Sequence, residues 1–337
     1  NIVSRPRLLQ RLESGTDGKL TLISAPAGFG KSTLVSSWSH QTNSDLHIAW
    51  LLLEEDDNNL PRFLTYFIAA LQTIESDFGD RALVALQAPG LVNLEAILIS
   101  LINEMTELSD KVVLVIDDYQ VIESKPIDQV VTFLLDHLPP QVHLVISSRI
   151  DPSLPLSRLR ARREMIEIRV NDLRFTIDEA AAFLSQLLGF DLSIEHVASL
   201  EKRTEGWITG LQLAALSIQS SDDVDAFVHA FSGSDRFILD YLGEEVLAHQ
   251  PHDVQMFLLQ TSILSRLTGS LCEAVTSRAH GNEMIAFLER RNMFIVPLDN
   301  ERRWYRYHHL FTDLLYRTLN QVFPEQIIEL HQRASKW

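Results

Sequence analysis

The chain has 337 residues and a formal net charge of −16, with 29 Lys and Arg residues against 45 Asp and Glu residues. This length exceeds what one hydrophobic core usually supports, so we expect two or three domains. The acidic balance argues against nucleic-acid binding through a general basic surface. The only cysteine is Cys272, which excludes an internal disulfide and a cysteine-rich metal site and favours a reducing, cytoplasmic location.

The sequence shows no membrane-spanning or export pattern. No apolar stretch approaches the length that spans a bilayer, and the N-terminus lacks a charged-then-apolar signal. We therefore expect no membrane partner. The chain begins without Met and stops within a predicted helix at 325–337, so we expect it to be a piece of a longer protein.

The N-terminal segment contains Arg5 and Arg7, followed by Leu8, Leu9 and Leu12 at helical spacing. This spacing predicts a surface helix that covers one edge of a sheet. In a second interpretation the segment forms a wall beside the adenine of a bound nucleotide, because it arrives from outside at the loop described next. The residues alone favour the first interpretation.

A strand, a glycine-rich loop and a helix are predicted in succession over residues 20–40. The apolar run at 20–24 predicts the strand, residues 25–33 read A-P-A-G-F-G-K-S-T, and residues 34–40 are compatible with a helix. The loop matches the phosphate-binding pattern G-x-x-x-x-G-K-[ST], except that Ala25 replaces the first glycine. The alternative is a chance glycine-rich turn, which the strand and helix on the correct sides disfavour.

Each residue type in this loop suits a phosphate group. Gly28 and Gly30 let backbone N–H groups turn towards a phosphate, and the following helix presents its positive N-terminal end. Lys31 is expected to reach the β- and γ-phosphates, and Ser32 to give its hydroxyl to Mg²⁺. The loop residues expected to contact the nucleotide are Ala27, Gly28, Phe29, Gly30, Lys31, Ser32 and Thr33.

A second predicted strand, at 47–53, ends in an acidic cluster at 54–59, and helical spacing follows at 63–74 and 91–108. Ligands bind at the carboxyl ends of strands in open α/β sheets, so one carboxylate of the cluster could lie near a metal ion or an attacking water. Equally, the cluster could be a solvated turn in which Asn59 caps the next helix. The residues leave both interpretations open.

An apolar strand at 111–117 ends in Asp117 and Asp118, the form of a Walker B motif. Asp117 is expected to hold Mg²⁺, directly or through water, and Asp118 to orient or deprotonate the attacking water. Apolar strands that end in acids are common. This one follows the phosphate loop by about ninety residues, which favours the functional interpretation.

The next predicted strand, at 142–146, is followed by Ser147, Ser148 and Arg149. Arg149 is expected to contact a γ-phosphate, the alternative being an ion pair with a surface acid. A fifth, edge-like strand is predicted at 166–170, and five β-segments that alternate with helices imply a mainly parallel sheet with helices on both faces. The candidate catalytic residues are Lys31, Asp117, Asp118 and Arg149.

After residue 171 the pattern is almost entirely helical. Thr176 and Glu179 predict a capping box at the start of one helix. Gly206 and Gly210 flank the entrance of a later helix, where small residues permit close approach to a backbone or a ligand. Close helix packing with Trp207 in the core is the simpler interpretation of this segment.

A joint is predicted at 232–235, followed by helices and by a two-stranded hairpin at 294–298 and 304–307 with a turn at 299–302, which indicates a winged helix. The segment before the hairpin carries charges of both signs, which disfavours DNA binding and favours a role within the protein. His308 and His309 follow the hairpin. Adjacent histidines are usually a surface and core pair, although an imidazole there could bond a diphosphate.

Together these motifs resemble the signal-transducing STAND NTPases, most closely the MalT-like branch of the LuxR family of bacterial regulators. The resemblance covers essentially the whole chain. It rests on Arg5-Pro6-Arg7, on residues 25–33, on residues 54–58 with Arg62 and Phe63, on residues 115–119, on Ser148-Arg149, on Gly206-Trp207 with Gly210-Leu211, and on residues 306–308 with 310–311 and 313–314.

The resemblance implies a P-loop nucleotide-binding domain at 1–172, a helical domain at 173–233, a winged-helix domain at 234–320 and the start of a helical arm at 321–337. By the same resemblance, Arg149 is the sensor arginine, Arg5 and Arg7 contact the nucleotide, and His308 contacts the phosphate of ADP. Gly210 occupies the place of a Gly-x-Pro motif, and Gln212 departs from its proline.

The function implied is a switch operated by ATP and ADP, with Mg²⁺ as the metal. ADP holds a closed resting state, exchange for ATP opens the protein for self-assembly, and slow hydrolysis resets it. The inducer is expected to act through a sensor region, and DNA to be bound only through an effector domain, both outside this sequence. The alternatives are a P-loop ATPase with continuous turnover and a DNA-binding winged-helix protein.

Overall fold

The computed structural model describes residues 3–41, 46–87, 93–221, 223–233, 235–299 and 301–337. The chain divides into two compact units. The sheet unit comprises Ser4–Ala25 and Lys31–Asp172, and the helical unit comprises Pro26–Gly30 and Leu173–Trp337 together with Val3. Four positions from predicted features lie outside the described residues, namely Leu91 and Val92 of a helix, Ser234 of the joint and Asn300 of the hairpin turn.

A five-stranded parallel sheet organises the sheet unit. Its strands are β1 (Leu20–Ser24), β2 (Leu46–Leu52), β3 (Lys111–Asp117), β4 (Val142–Ser148) and β5 (Met165–Arg169). Their order across the sheet is β2-β3-β4-β1-β5, and every neighbouring pair is parallel. The five predicted strands and the edge position of the last one are therefore confirmed.

Helices cover this sheet. They are α1 (Pro6–Gly15), α2 (Lys31–Ser39), α3 (Leu60–Gln72), α4 (Asp80–Gln87), α5 (Leu94–Glu107), α6 (Lys125–His137), α7 (Leu156–Arg162) and α8 (Val170–Leu173). Every residue of β1 and β4 is buried, which requires cover on both faces. On one face Leu22, Leu114 and Ile146 join a core that includes residues of α3, α5, α6 and α7.

The acidic cluster after β2 forms a capped turn. Glu55–Asn58 is a single 3₁₀ turn, and Asn59 accepts a hydrogen bond from the Arg62 N–H to cap α3. Asp57 is buried, and its Oδ1 accepts from Arg62 Nε at 2.8 Å. The structure thus supports the capping interpretation. The buried carboxylate of the cluster, that of Asp57, is paired with Arg62.

A buried histidine joins two strands of the sheet unit. His143 on β4 has both ring nitrogens in hydrogen bonds of 2.9 Å, Nδ1–H donating to Gly18 O and Nε2 accepting from the Thr21 hydroxyl of β1. Burial lowers the pKa of His143 to about 4. The imidazole is therefore neutral at neutral pH.

In its described residues after α8, the helical unit contains ten α-helices, a π-helical turn at Leu242–Leu247 and one short hairpin. The helices are α9 (Ile177–Leu188), α10 (Ile194–Thr204), α11 (Ile208–Gln219), α12 (Val224–Ala230), α13 (Arg236–Tyr241), α14 (His252–Thr261), α15 (Gly269–Thr276), α16 (Gly281–Arg290), α17 (His309–Val322) and α18 (Gln326–Lys336). Strands β6 (Ile295–Pro297) and β7 (Tyr305–Tyr307) form the antiparallel hairpin. Thr176 and Glu179 make the predicted capping box of α9. Among the described residues, no helix is long and apolar enough to cross a bilayer.

The burial of His143 predicts that acid weakens the fold. The unfolded state binds more protons between pH 6.5 and pH 4, so the free energy of unfolding should fall as pH decreases through this window. Urea midpoints measured at several pH values test this. We expect His143→Leu to be less stable at pH 8, because Thr21 and Gly18 lose a partner, yet to show a shallower pH dependence. His249→Gln, at an exposed histidine, should retain the original slope.

Candidate nucleotide-binding site

The phosphate loop has the backbone geometry that its sequence predicts. Strand β1 ends at Ser24, and α2 begins at Lys31, so the loop leads directly into a helix N-terminus. Gly28 and Gly30 both adopt left-handed conformations, with φ of +74° and +75°. Only glycine adopts such a φ at no steric cost, which accounts for both residues in the motif.

Lys31 lies buried among charged residues of the sheet unit. Its Nζ donates to Ala25 O at 2.9 Å. Burial and, to a smaller extent, the charge of Arg149 lower the pKa of Lys31 to about 8, against the opposing charges of Asp118 and Asp117. The other three candidate catalytic residues are therefore close enough to influence Lys31. A phosphate placed beside Lys31 would restore its full positive charge.

The carboxylates at the end of β3 differ in their surroundings. Asp117 is buried as the last residue of the strand, and its Oδ1 accepts the Asp118 N–H at 3.0 Å. Asp118 is half-buried and has a left-handed backbone, with φ of 56°. Its Oδ1 accepts a hydrogen bond from Gln120 Nε2 at 2.7 Å. Gln120 was not identified from the sequence, because no common motif assigns a role to that position.

The residues present suit a nucleotide with Mg²⁺. Ser32 and Thr33 are exposed at the start of α2, and Asp117 ends β3. A hydroxyl and a carboxylate are the hard oxygen ligands that Mg²⁺ prefers, with phosphate and water completing its shell. Lys31 and Arg149 supply positive charge for the phosphates.

The two N-terminal arginines have different environments. Arg5 is buried immediately before α1, whereas Arg7 is exposed in the first turn and donates from Nη1 to Asp172 O at 2.7 Å. Both belong to the sheet unit. The hydrogen bond from Arg7 to Asp172 joins α1 to the segment that follows β5, the edge strand. This agrees with the prediction that the N-terminal helix covers one edge of the sheet. Contact with a nucleotide stays a prediction for both arginines.

Within the helical unit, the start of α11 binds the phosphate loop through backbone carbonyls. Trp207 Nε1 donates to Ala27 O at 3.2 Å, and Thr209 donates to Gly28 O from its N–H at 3.2 Å and from its hydroxyl at 3.0 Å. A Cβ on Gly28 would lie 2.4 Å from Thr209 Oγ1. Gly28 is thus required by this close approach as well as by its own φ.

Aromatic side chains surround this contact. Phe29 of the loop packs on Phe294, with ring centroids 6.2 Å apart, and Trp207 packs edge-on against Phe294 at 5.3 Å. His308 contacts both Trp207 and Phe294. The phosphate loop and the residue predicted to contact ADP phosphate therefore share one aromatic cluster, formed by Phe29, Trp207, Phe294 and His308.

His308 is completely enclosed. Its Nε2–H donates to Thr204 O at 2.8 Å, whereas Nδ1 is buried and has no hydrogen-bond partner in the described part of the chain. Burial lowers the pKa of His308 to about 4. A buried nitrogen without a hydrogen-bond partner lowers the stability of the fold. Its position in the aromatic cluster, next to Phe29 of the phosphate loop, therefore fits a nitrogen that a ligand would bond.

Gly210 has a structural explanation. A Cβ there would lie 2.7 Å from Trp207 Cε3, so glycine at this position allows Trp207 to be fully buried. This agrees with the close-packing interpretation. Gln212 is exposed on α11. Nucleotide contact by Gly210 remains a prediction.

Glu205 connects α10 to the winged-helix hairpin. This carboxylate is only 8% exposed, and it receives two hydrogen bonds from Arg306 of β7, at 2.6 and 2.9 Å. Arg174 Nη2 donates to it at 3.0 Å, and the His309 N–H at 3.2 Å. Burial alone would raise the pKa of Glu205, but the hydrogen bonds from Arg306 and the nearby positive charges lower it to about 2. These bonds join Glu205, which follows Thr204, to Arg306 and His309, which lie on either side of His308 in the chain.

Two family profiles match the sequence. The AAA ATPase domain matches residues 6–147, and the MalT winged helix domain matches residues 243–327. The chain therefore carries an AAA ATPase domain followed by a MalT winged helix domain. The resemblance to MalT-like proteins and the predicted fold class are confirmed by these matches and by the five-stranded parallel sheet.

Two curated relatives align with this chain along all of its length. Over 338 residues it is 34% identical to the serine/threonine-protein kinase PknK of Mycobacterium tuberculosis and 33% identical to the HTH-type transcriptional regulator MalT of Yersinia pestis. The alignments cover 100% of this chain but 30% of PknK and 37% of MalT, so the chain spans about a third of these relatives.

A solved structure shares the fold. The Walker-type ATPase PABY2304 of Pyrococcus abyssi is similar with a TM-score of 0.61 at 15% identity, covering 93% of this chain and 96% of that chain. At this identity the likeness bears on the fold alone.

Removing the charge of Glu205 should destabilise the helical unit. Glu205→Gln leaves Arg306 and Arg174 without a buried anion, and breaking such a pair costs about 3 kcal/mol. Urea unfolding monitored by tryptophan fluorescence measures the loss, with the exposed Glu195→Gln as the matched control. Combining Glu205→Leu with Arg306→Leu should cost less than the sum of the two single changes. Strict additivity would contradict direct coupling between these two side chains.

Proposed function

We propose that this chain is a switch operated by ATP and ADP, the regulatory core of a MalT-like transcriptional regulator. The observation that carries the proposal is the direct bonding of the phosphate loop to the start of α11, with Phe29 packed on Phe294 of the winged-helix region. A change in the ligand of the loop would therefore alter the contacts of the loop with α11 and with Phe294. Such coupling is what a nucleotide-dependent switch requires.

The proposed nucleotide contacts follow from the chemistry of each residue. The backbone N–H groups at 27–30 and the N-terminus of α2 would hold the diphosphate. Lys31 would bind the β- and γ-phosphates, and Ser32 and Asp117 would hold Mg²⁺, which supplies neutralising charge for the phosphates. Thr33, Arg5, Arg7 and Gly210 complete the proposed contact set.

Slow hydrolysis of ATP would return the protein to its resting state. Asp118 would orient the attacking water or accept a proton from it, because it directly follows Asp117, the proposed Mg²⁺ ligand. Arg149 would bind the γ-phosphate, since its charge lies close enough to depress the pKa of Lys31. Both assignments are supported by the proximity of the four charged residues in the sheet unit.

His308 would act as the residue that distinguishes the resting state. Its Nε2–H is committed to a carbonyl, so a hydrogen bond from Nδ1 to a phosphate requires the charged imidazolium. ADP bound at this residue would therefore take up a proton. Near-complete conversion between closed and open states requires a differential affinity of about 5.5 kcal/mol.

The partners of the switch are proposed from its relatives. One relative is described as an HTH-type transcriptional regulator, which supports DNA binding through an effector region outside this sequence. An inducer would act through a sensor region that is also outside it, and self-association would accompany the ATP state. A cytoplasmic location suits a protein that exchanges ADP for ATP.

A P-loop ATPase with continuous turnover is the second candidate, favoured by the AAA ATPase match over residues 6–147. The two candidates differ in what the purified protein carries. Denaturing the protein and identifying the released nucleotide by chromatography separates them. Retained ADP supports the switch, whereas an empty site with rapid steady-state hydrolysis supports the turnover enzyme.

Lys31→Ala should abolish nucleotide retention, because the phosphates lose the cation at the end of the loop. Released nucleotide is quantified by chromatography after denaturation. The exposed Lys125→Ala is the matched control and should retain the nucleotide content of the original protein. An unchanged ADP content in a folded Lys31→Ala protein would remove the phosphate-loop assignment.

The protonation of His308 predicts a pH effect on ADP release. Raising pH disfavours the imidazolium that donates to the phosphate, so ADP should dissociate faster at pH 9 than at pH 6. Stopped-flow release of a fluorescent ADP analogue measures this rate. His308→Ala should release ADP faster at pH 6 and lose the pH dependence, whereas the same change at exposed His249 should have little effect. An identical pH dependence in His308→Ala would contradict the assigned contact.

A further inference from the structure

Gln120 bridges two of the candidate catalytic residues. Its Nε2 donates to Asp118 Oδ1 at 2.7 Å, and its Oε1 accepts the Arg149 backbone N–H at 2.8 Å. The side chain therefore spans from the end of β3 to the first residue after β4. All three residues belong to the sheet unit.

The chemistry of the two partners determines how the Gln120 amide is oriented. A backbone N–H can only donate, so the oxygen of the Gln120 amide must face Arg149. The amide nitrogen is then directed to the Asp118 carboxylate, which can accept when ionised. Glutamate has the same shape, but it would present a second acceptor to that carboxylate and could not make this bridge when ionised.

The turn that carries Gln120 is anchored on both sides. Asn58 Nδ2 donates to Val121 O at 2.8 Å, and Asn58 Oδ1 accepts the Glu123 N–H at 2.7 Å. The Tyr119 hydroxyl donates to Asp128 at 2.8 Å. These bonds hold the 3₁₀ turn Tyr119–Val121 in place, so the position of Gln120 does not depend on its bridge alone.

We propose that Gln120 is a positioning residue for ATP hydrolysis, which orients the Asp118 carboxylate and ties it to the backbone that carries Arg149. The inference rests on the proposed ATPase step. A base acts on an attacking water only when its oxygen is held at hydrogen-bond distance and in the right direction, and the bond from Gln120 Nε2 limits the directions that Asp118 Oδ1 can take. Because Gln120 also accepts the Arg149 N–H, it couples the position of Asp118 to that of Arg149, the residue proposed to bind the γ-phosphate.

Two substitutions at this position separate the bridge from simple packing. Gln120→Met keeps the length of the side chain and removes both hydrogen bonds. Gln120→Glu keeps the acceptor for Arg149 N–H and replaces the donor to Asp118 by a negative charge. Gln129→Glu makes the same chemical change at an exposed glutamine of α6 and is the matched control. Asp118→Asn removes the proposed base and shows how far hydrolysis falls without it.

The experiment measures ATP affinity with a fluorescent analogue and single-turnover hydrolysis of ATP at saturating ATP. We expect ATP affinity within about twofold of the original protein in both Gln120 variants. Hydrolysis should fall by about ten- to a hundredfold in Gln120→Met, the span found when residues that orient a functional group are removed. Gln120→Glu should slow hydrolysis to a similar extent, because it keeps an acceptor for the Arg149 N–H but no longer donates to Asp118.

The outcomes distinguish this inference from the function on which it rests. If the original protein neither binds nor hydrolyses ATP, the proposed function is wrong and Gln120 has no such role. If Asp118→Asn is slow but both Gln120 variants hydrolyse ATP at the original rate, the role of Gln120 alone is overturned. If ATP affinity falls in step with hydrolysis, Gln120 is a structural residue of the site and the positioning role is also overturned.

Discussion

The hydrogen bonds from Trp207 and Thr209 to the carbonyls of the phosphate loop are the constraint on which the helical unit depends. A glycine-rich loop has little stability of its own, since glycine loses more backbone entropy on ordering than any other residue. Here the loop is ordered by partners from another part of the chain. Gly28 must lack a side chain because Thr209 approaches so closely, and Gly210 must lack one because Trp207 fills the space beside it.

The buried charges follow a common rule, in that each has partners which offset the cost of leaving water. Glu205 has two arginines and a backbone N–H around it. Lys31 has a carbonyl and two nearby carboxylates. His308 is different, because burial keeps it neutral and one of its nitrogens is buried without a partner in the described residues. That nitrogen is the physical reason for proposing a ligand contact at His308.

Much of the fold was predictable because it depends on local patterns. Apolar runs predicted the first four strands, and alternation predicted the short edge strand. Thr176 was identified as a helix cap from residue type and spacing, and the Asn59 cap was one of two interpretations that the residues left open. The acidic cluster was ambiguous because a turn and a metal site use the same carboxylates, and only the Arg62 contact distinguished them.

The sequence by itself determined the phosphate loop, the two carboxylates after β3, the order of strands and helices, and the resemblance to MalT-like proteins. These features lie in short segments, where residue type and spacing are sufficient. Only the tertiary structure decided which distant residues meet. Gln120 reaches Arg149 across 29 positions, and Glu205 reaches Arg306 across 101. Such pairs depend on how strands and helices pack, and neither partner's local sequence carries that information.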